Sequence, residues 1–408
     1  MIKNRWHKII IVLAFIMVIL LFSCSNDSSS PDTITTPFQA EPEQTPPVSL
    51  PPESLPPIVP DITPGPVTPD EDTVPIDPIE AQIADIITSM TLYEKVCQLL
   101  IVSLDCISGL DKYPVGGIIH YSPNIISSEQ ITLLNLFLRE SSKLPLFLAV
   151  DEEGGRVARL GRNLNAHAVK DMLSYESDGV EKAYENAAVI SNTLIEHGFN
   201  TNFAPVADVW SNPANNVIGN RAYSSDFNLA ADLVASAVRG YNENNIICTL
   251  KHFPGHGNTF EDSHYNTAYV DKTLDELREN EFLPFIAGIA AGAEMIMTGH
   301  LIVPDIDDLP ATLSSILLTD ILRNELGFDG IIITDALAMN AISKHYDVSF
   351  TAVTAIKAGV DILLMPVDVE ETVTAIINAV LNGEIPESRV DESVSRILRL
   401  KMSWFHLF

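Results

Sequence analysis

Residues 246–264 read IICTLKHFPGHGNTFEDSH, and in this stretch a strand-like apolar run leads directly into a cluster of polar side chains. The run at its start is short, rich in β-branched residues and typical of a buried strand. Pro254, Gly255 and Gly257 then predict a tight loop. Three of the ten histidines of the chain lie here, beside a lysine and two carboxylates. The polar groups are therefore expected where a strand ends.

Seven further apolar runs surround this one, and stretches with helical periodicity lie between most of them. The eight predicted strands are 97–104, 116–121, 146–150, 202–208, 246–251, 295–299, 330–334 and 360–365. The predicted helices include 177–197, 226–243, 273–291, 314–325, 369–382 and a last one from Glu387 to about Met402. Strands that alternate with helices predict an α/β fold with a parallel sheet.

Polar residues at the strand ends favour a closed barrel over an open sheet. Five of the eight predicted strands are followed or ended by an ionisable residue: Asp151, Asp208, Lys251 with His252, His300, and Asp335. A (β/α)8 barrel places its chemistry in the loops after the strands, whereas an open sheet concentrates ligand groups at one switch point. We therefore predict a single (β/α)8 TIM-type barrel, with a doubly wound open sheet as the alternative.

The N-terminus has the layout of an export signal, predicted to span residues 1–24. A basic start (Lys3, Arg5 and Lys8) precedes the apolar run Ile9–Phe22. This run is shorter than the roughly 20 residues that a membrane-spanning helix needs. Residues 21–24, LFSC, resemble a bacterial lipobox, which implies lipidation at Cys24. Either a lipoprotein or an uncleaved signal anchor would be held at a membrane outside the cytoplasm.

Residues 25–80 are predicted to form a disordered linker. They contain fifteen of the 26 prolines and eleven acidic residues, and they lack lysine and arginine. Such a segment cannot bury a core. The folded domain is predicted to occupy residues 81–408. The formal net charge of −30 argues against nucleic acid as a partner and against an anionic surface.

The remaining cysteines do not predict a disulfide framework or a zinc site. Cys97, Cys106 and Cys248 are odd in number and have no CxxC spacing. Each lies in or near an apolar segment, so we interpret them as small buried hydrophobes.

The polar loop after the fifth strand has three functional interpretations. His252, His256 and His264 could be metal ligands, but the HExxH helix is absent. The glycines could cradle a phosphate, but the GxxxxGK[ST] order is missing. Asp262 and His264 could form an acid/base pair in which the carboxylate fixes the histidine tautomer. Solvent-exposed histidines without a role are a fourth possibility.

Carboxylates also follow two other predicted strands. Asp335, in the stretch GFDGIIITDALAM, is expected to face the barrel mouth and could be a nucleophile of the kind that retaining glycosidases use. A helix N-cap is the structural alternative for this aspartate. Asp151 begins the stretch DEEGGRV, and Arg221 lies in a loop after the fourth strand. Beside two carboxylates, this arginine is expected to orient a substrate group.

Taken together, these motifs resemble the β-N-acetylglucosaminidases of glycoside hydrolase family 3. The matching stretches are VDEEGGRV, NTNFAPVADV, GNRAYSSD, KHFPGHGNTFEDSH and GIIITDALAM, and they occur in the family's order. KHFPGHG followed by DSH is the element specific to this branch. The chain departs from the pattern at Glu152, where the branch usually has glutamine, at Asn258, where it usually has aspartate, and in the stretch TAYV (267–270).

The resemblance implies a role for seven residues. Asp335 is the expected nucleophile, His264 the acid/base and Asp262 its partner. Asp151, Arg221, Lys251 and His252 are expected to hold the sugar hydroxyls. No metal or cofactor is expected.

The expected function is that of a retaining exo-β-N-acetylhexosaminidase that acts on peptidoglycan fragments or related glycans. A β-N-acetylglucosaminide phosphorylase is an alternative, because an imidazole acid/base does not repel phosphate as a carboxylate would. A non-catalytic sugar-binding lipoprotein is the alternative from a different class.

Overall fold

The computed structural model describes residues 77–104, 112–260 and 268–405. The predicted signal peptide with Cys24, nearly all of the predicted linker, Cys106, and the predicted acid/base pair Asp262 and His264 lie outside these ranges.

Eight parallel strands form a closed barrel, as predicted. In chain order they are β1 Leu100–Ser103, β2 Gly117–His120, β3 Phe147–Val150, β4 Thr201–Asn202, β5 Ile247–Phe253, β6 Met295–Thr298, β7 Ile331–Thr334 and β8 Leu363–Leu364. Each pairs with the next along the chain from β1 to β7, and β8 pairs with β1. A bridge between Ile333 and Ile362 joins β7 to the residue before β8 and excludes the open sheet.

The strands are buried on both faces, which explains their continuous apolar runs. Every residue of the seven-residue β5 is buried, including Lys251 and His252 at its end. The predicted fourth strand is shorter than expected, because Pro205 has no N–H to donate to a ladder. Backbone bonds to the neighbouring strands nevertheless continue, such as that from Phe203 N to Val150 O at 2.9 Å.

Helices surround the barrel. They are Pro78–Ser89, Leu92–Gln98, Ser128–Ser141, Arg159–Leu164, Val180–Glu196, Phe227–Glu243, Leu274–Glu279, Phe282–Ala290, the π-helix Ile316–Glu325, Asn340–Ser343, Val348–Ala358, Val369–Leu381 and Glu387–Phe405. Short 3₁₀ segments are Ser122–Asn124, Met172–Asp178, Gly219–Arg221 and Ala311–Leu313. Within the described residues, five short strands lie outside the barrel: Glu152–Gly154, Val157–Ala158, Ala268–Tyr269, Leu301–Val303 and Asp307–Pro310.

Prolines explain two of the differences between the observed helices and the sequence prediction. The predicted helix 273–291 is broken at Asn280 and Glu281, because Pro284 fits only the first turn of a helix and a new helix must begin just before it. The first helix begins at Pro78, inside the predicted linker, where proline suits the first helical position and the Asp77 side chain accepts from Ile79 N.

No helix in the described ranges is long and apolar enough to cross a membrane.

Candidate active site

A pocket of about 390 Å³ lies at the carboxyl ends of the barrel strands. Its lining includes five residues that the sequence predicted for the site: Asp151, Arg221, Lys251, His252 and Asp335. The fold thus brings together side chains that are up to 184 positions apart (335 − 151). The two remaining predicted catalytic residues, Asp262 and His264, belong to the part of the loop that the structure does not describe.

Lys251 is the buried cation of this pocket. Its ammonium lies 2.9 Å from Asp151 Oδ1 and 2.6 Å from Glu153 Oε1, and the residue is 2% exposed. Burial by itself would lower the pKa of Lys251, but the two carboxylates outweigh burial and raise it. The lysine is therefore charged at neutral pH and holds two loop carboxylates in place.

Glu153 was missed by the sequence reasoning, which singled out Asp151 from the run DEE. Its carboxylate accepts from Arg221 Nε at 2.8 Å and from Arg221 Nη2 at 2.9 Å, in addition to its contact with Lys251. Burial would raise the pKa of Glu153, but the two cations lower it well below the ordinary range. The two-residue spacing between Asp151 and Glu153 was the available signal, since alternate residues of an extended segment face the same side.

Glu152, the residue between these two, points away from the pocket. It is fully buried, and its carboxylate accepts from Leu160 N at 2.7 Å and from Gly161 N at 3.0 Å. His167 Nε2 lies 2.7 Å from the same carboxylate. Glutamate at this position, where the resemblance expected glutamine, therefore anchors the loop after β3 and does not line the pocket.

His252 is oriented by Asp208, a second residue absent from the predicted site. His252 Nδ1 lies 2.7 Å from Asp208 Oδ2, and Asp208 Oδ1 accepts from the backbone N–H of both His252 and His256. Burial would raise the pKa of Asp208, but the histidines and these bonds lower it. Because an ionised carboxylate only accepts hydrogen bonds, Nδ1 of His252 carries a proton.

His256 lies beside His252, with ring centroids 5.9 Å apart, and it contacts one residue of its own loop and one of the loop after β4. Its Nδ1 is 2.8 Å from Thr259 Oγ1, and Asn215 Nδ2 donates to its carbonyl at 2.8 Å. Burial lowers the pKa of His256 to about 4, so its ring is neutral at pH 7. Within the three described ranges, no group of three or more His, Cys, Asp or Glu side chains could hold a metal ion.

Asp335 lines the pocket directly after β7. Its backbone N–H donates to Thr298 O at 2.9 Å, and its Oδ1 accepts from Ala336 N at 2.7 Å. It is not the N-cap of the next helix, which begins at Asn340 with Met339 in the cap position. The N-cap interpretation of Asp335 is therefore wrong.

His300 supports the loop that carries Asp335. Its Nε2 lies 3.0 Å from Ala336 O and its Nδ1 lies 2.8 Å from Thr312 Oγ1, with the residue 1% exposed. The sequence placed this histidine at a strand end without a role. Its described contacts link Ala336, next to Asp335, to Thr312 and give it a structural role.

The family model described as the N-terminal domain of glycosyl hydrolase family 3 matches residues 91–400. A relative from Stenotrophomonas maltophilia (strain K279a), a beta-hexosaminidase, is 36% identical over 275 residues that cover 66% of this chain and 82% of the relative. Beta-hexosaminidase A from Pseudoalteromonas piscicida is 34% identical over 72% of this chain, and the match spans 54% of that relative.

A solved structure from the same family also superposes on this chain. The glycoside hydrolase family 3 beta-N-acetylglucosaminidase from Paenibacillus sp. str. FPU-7 superposes with a TM-score of 0.73 and 38% identity. The match covers 78% of this chain and 64% of that protein, so the chain spans less than two thirds of its length.

Proposed function

This chain belongs to glycosyl hydrolase family 3, and from that premise we propose that it is a retaining exo-β-N-acetylhexosaminidase that removes terminal β-linked N-acetylglucosamine. The observation that carries the proposal is the pocket at the barrel mouth, in which Asp335 shares the lining with the network of Asp151, Lys251 and Arg221. Relatives that carry the name beta-hexosaminidase support the choice of sugar.

The polar network suits a sugar ring. Lys251 and Arg221 are held by carboxylates, so they can donate to sugar hydroxyls without moving. Asp151 and His252 supply further polar groups on the same lining. Glu153 faces both cations and has the role of fixing them.

The proposed reaction has two steps. In the first, an Asp335 carboxylate oxygen attacks C1 of the terminal sugar, the bond from C1 to the aglycone oxygen breaks, and His264 gives that oxygen its proton. In the second, His264 takes a proton from water as the water oxygen attacks C1, and the bond from C1 to Asp335 breaks. Two inversions at C1 retain the β configuration. Asp262 would orient His264; both roles rest on the sequence resemblance.

The test is hydrolysis by the full chain, purified in detergent, of the aryl β-glycosides of N-acetylglucosamine and of glucose. Preference for the N-acetyl sugar that persists with a chelator supports the proposal. Phosphate stimulation, with a sugar 1-phosphate as product, would instead favour the phosphorylase. A folded sample that hydrolyses neither glycoside would favour a sugar-binding protein.

We propose in addition that Cys24 is lipidated and holds the enzyme at a bacterial membrane outside the cytoplasm. The basic start, the apolar run and LFSC support this proposal. Incorporation of a radiolabelled fatty acid into the wild type but not into Cys24→Ala is the expected result. Equal labelling of both would contradict it.

A further inference from the structure

The candidate active site has a charged wall and, across the barrel mouth, an apolar one. The charged wall comes from β3 to β5 and the loops after them, and it holds Asp151, Arg221 and Lys251. The apolar wall comes from β7, β8 and β2 and the loops after them, on the opposite arc of the closed barrel. Beyond Asp335, its lining residues are Ala336, Ala338, Met339, Leu364, Met365, Ile119 and Tyr121. Of these described residues, Tyr121 alone has a hydrogen-bond donor in its side chain.

The Tyr121 hydroxyl donates to a sulfur. It lies 2.8 Å from Sδ of Met365, which lines the same wall. A thioether sulfur is a weak acceptor, whereas a phenol is a good donor. An oxygen acceptor that enters the pocket therefore forms a stronger bond with this hydroxyl than the sulfur does. The contact with Met365 holds the hydroxyl in place and leaves it available to such an acceptor.

Met365 has an unusual backbone conformation. Its φ is +48°, in the left-handed region that few residues other than glycine adopt. Its N–H donates to Ile101 O of β1 at 2.8 Å, so the end of that strand holds the residue there. Backbone outliers of this kind are concentrated at sites that bind ligands. The conformation of Met365 agrees with a role of this wall in binding.

Tyr121 lies near the proposed nucleophile and near a residue expected to hold the sugar. Burial of the phenol raises its pKa, and the negative charges of Asp335 and Asp151 raise it further, against the opposing charge of Arg159. The Arg159 guanidinium lies 5.8 Å from the centre of the Tyr121 ring. The hydroxyl therefore keeps its proton at neutral pH and well above it. A sugar placed between the two carboxylates passes next to this donor.

We propose that Tyr121 is a further substrate-binding residue, whose hydroxyl leaves the Met365 sulfur and donates to an oxygen of the terminal sugar. The proposal rests on the proposed function, which puts that sugar between Asp335 and the charged wall. A sugar carries oxygens around its whole ring, and those turned away from Lys251 and Arg221 face the apolar wall. The acceptor is a ring hydroxyl or the acetamido carbonyl, since both have oxygen lone pairs.

The first experiment removes the hydroxyl and keeps the ring. Tyr121→Phe and the wild type, as full chains in detergent, are compared on aryl β-glycosides of N-acetylglucosamine, of its 3-, 4- and 6-deoxy forms, and of glucose. The variant should lower kcat/KM for the N-acetylglucosaminide about tenfold, the effect of one lost hydrogen bond that leaves a buried partner unpaired.

The substrate panel identifies the acceptor. On the substrate that lacks the contacted oxygen, Tyr121→Phe and the wild type should agree within about twofold, because the bond is already missing there. Agreement on one deoxy sugar assigns that hydroxyl, and agreement on the glucoside assigns the acetamido carbonyl. Equal losses on all five substrates, or no loss on the N-acetylglucosaminide, would overturn the proposal.

A double-mutant cycle separates binding from a purely structural role of the contact between Tyr121 and Met365. Met365→Leu nearly conserves volume and removes the sulfur. If the sulfur competes with substrate, Met365→Leu should lower KM, and Tyr121→Phe should cost about tenfold in either background. If the hydroxyl acts only through the sulfur, Tyr121→Phe costs nothing further in the Met365→Leu background, and the proposal is refuted.

Tyr184→Phe is the matched control. Its hydroxyl donates to Glu243 Oε2 at 2.7 Å between two outer helices, away from the pocket. This variant should change none of the five rates. A loss as large as that of Tyr121→Phe would mean that removal of any tyrosine hydroxyl lowers activity, and it would contradict a specific contact.

The two proposals fail in different ways. Failure of the proposed function would appear as absence of aryl N-acetylglucosaminide hydrolysis by the wild type. Failure of the Tyr121 contact alone would appear as normal hydrolysis by the wild type and an equal kcat/KM for Tyr121→Phe.

Discussion

Arg221 and Glu153 form a two-bonded ion pair beside the candidate active site, with Nε 2.8 Å from Oε2 and Nη2 2.9 Å from Oε1. Their side chains are 10% and 3% exposed, so the pair is screened little by water. Lys251 contacts the same carboxylate, and one glutamate therefore fixes two of the cations predicted to hold substrate.

Glu153→Gln should damage both stability and activity. The change leaves Arg221 and Lys251 without a shared counter-charge, and breaking a buried ion pair costs about 3 kcal/mol. Displacement of the two cations should lower kcat/KM by about 100-fold, the usual effect of a small misplacement. Urea unfolding and aryl glycoside hydrolysis measure the two effects. Glu185→Gln, an exposed carboxylate paired with Lys182, is the control and should change neither.

Asp335→Ala should abolish turnover and leave the fold intact. Loss of the nucleophile should lower kcat by at least about 1,000-fold. The barrel should still form, because β7 pairs with β6 through the backbone of Ile331–Thr334, which this substitution does not change. Circular dichroism and a thermal melt report the fold beside the rate measurement. Activity comparable to that of the wild type would remove Asp335 as nucleophile.

His264→Ala should depend on the leaving group. Protonation by a general acid contributes about 100- to 10,000-fold for a poor leaving group and much less for an activated phenol. The variant should therefore lose most activity on di-N-acetylchitobiose and far less on a nitrophenyl glycoside. Equal losses on both substrates would mean that His264 is not the proton donor of the first step.

Lys401→Met should change how stability depends on pH. Lys401 is fully buried, donates to Gln98 Oε1 at 2.9 Å and to Gly116 O at 3.0 Å, and burial lowers its pKa from 10.5 to about 7. Between these two values the unfolded chain binds one more proton than the folded protein, so this lysine makes stability rise with pH. Below pH 7 the lysine is charged in both states. The whole free-energy cost of burying its charge then lowers the unfolding free energy.

The measurable quantity is the difference in unfolding free energy between Lys401→Met and wild type. Relative to the wild type, the variant should gain the most stability below pH 7, and this gain should shrink as the pH rises toward 10. Other titrating groups cancel in this difference. Lys357→Met, at an exposed lysine, should show a constant difference over the same range. A constant difference for Lys401→Met as well would contradict the lowered pKa.

The barrel could be predicted because strands buried on both faces leave a local signal. Each of the eight predicted apolar runs contains or overlaps a barrel strand, although the fourth overlaps only at Asn202. Helix boundaries were less predictable where a proline lies in the first turn of a helix. Pro284 split one predicted helix, and Pro78 began another inside the predicted linker.

The site could be predicted only in part. Asp151, Lys251 and Asp335 were found because each lies near the end of a strand or directly after one, and in a barrel the strand ends meet. The roles of Glu153 and Asp208 were not found, because they depend on partners 68 and 44 residues away.

The sequence by itself determined the barrel, the order of its strands and the family, because periodicity and motifs are properties of short stretches. Only the tertiary structure decided which carboxylate meets which cation. In the run DEE three adjacent acids look alike, yet Asp151 and Glu153 bind Lys251 while Glu152 turns to His167. The physical reason is that Coulomb energy and desolvation depend on distances across the folded chain, and spacing along the sequence does not contain those distances.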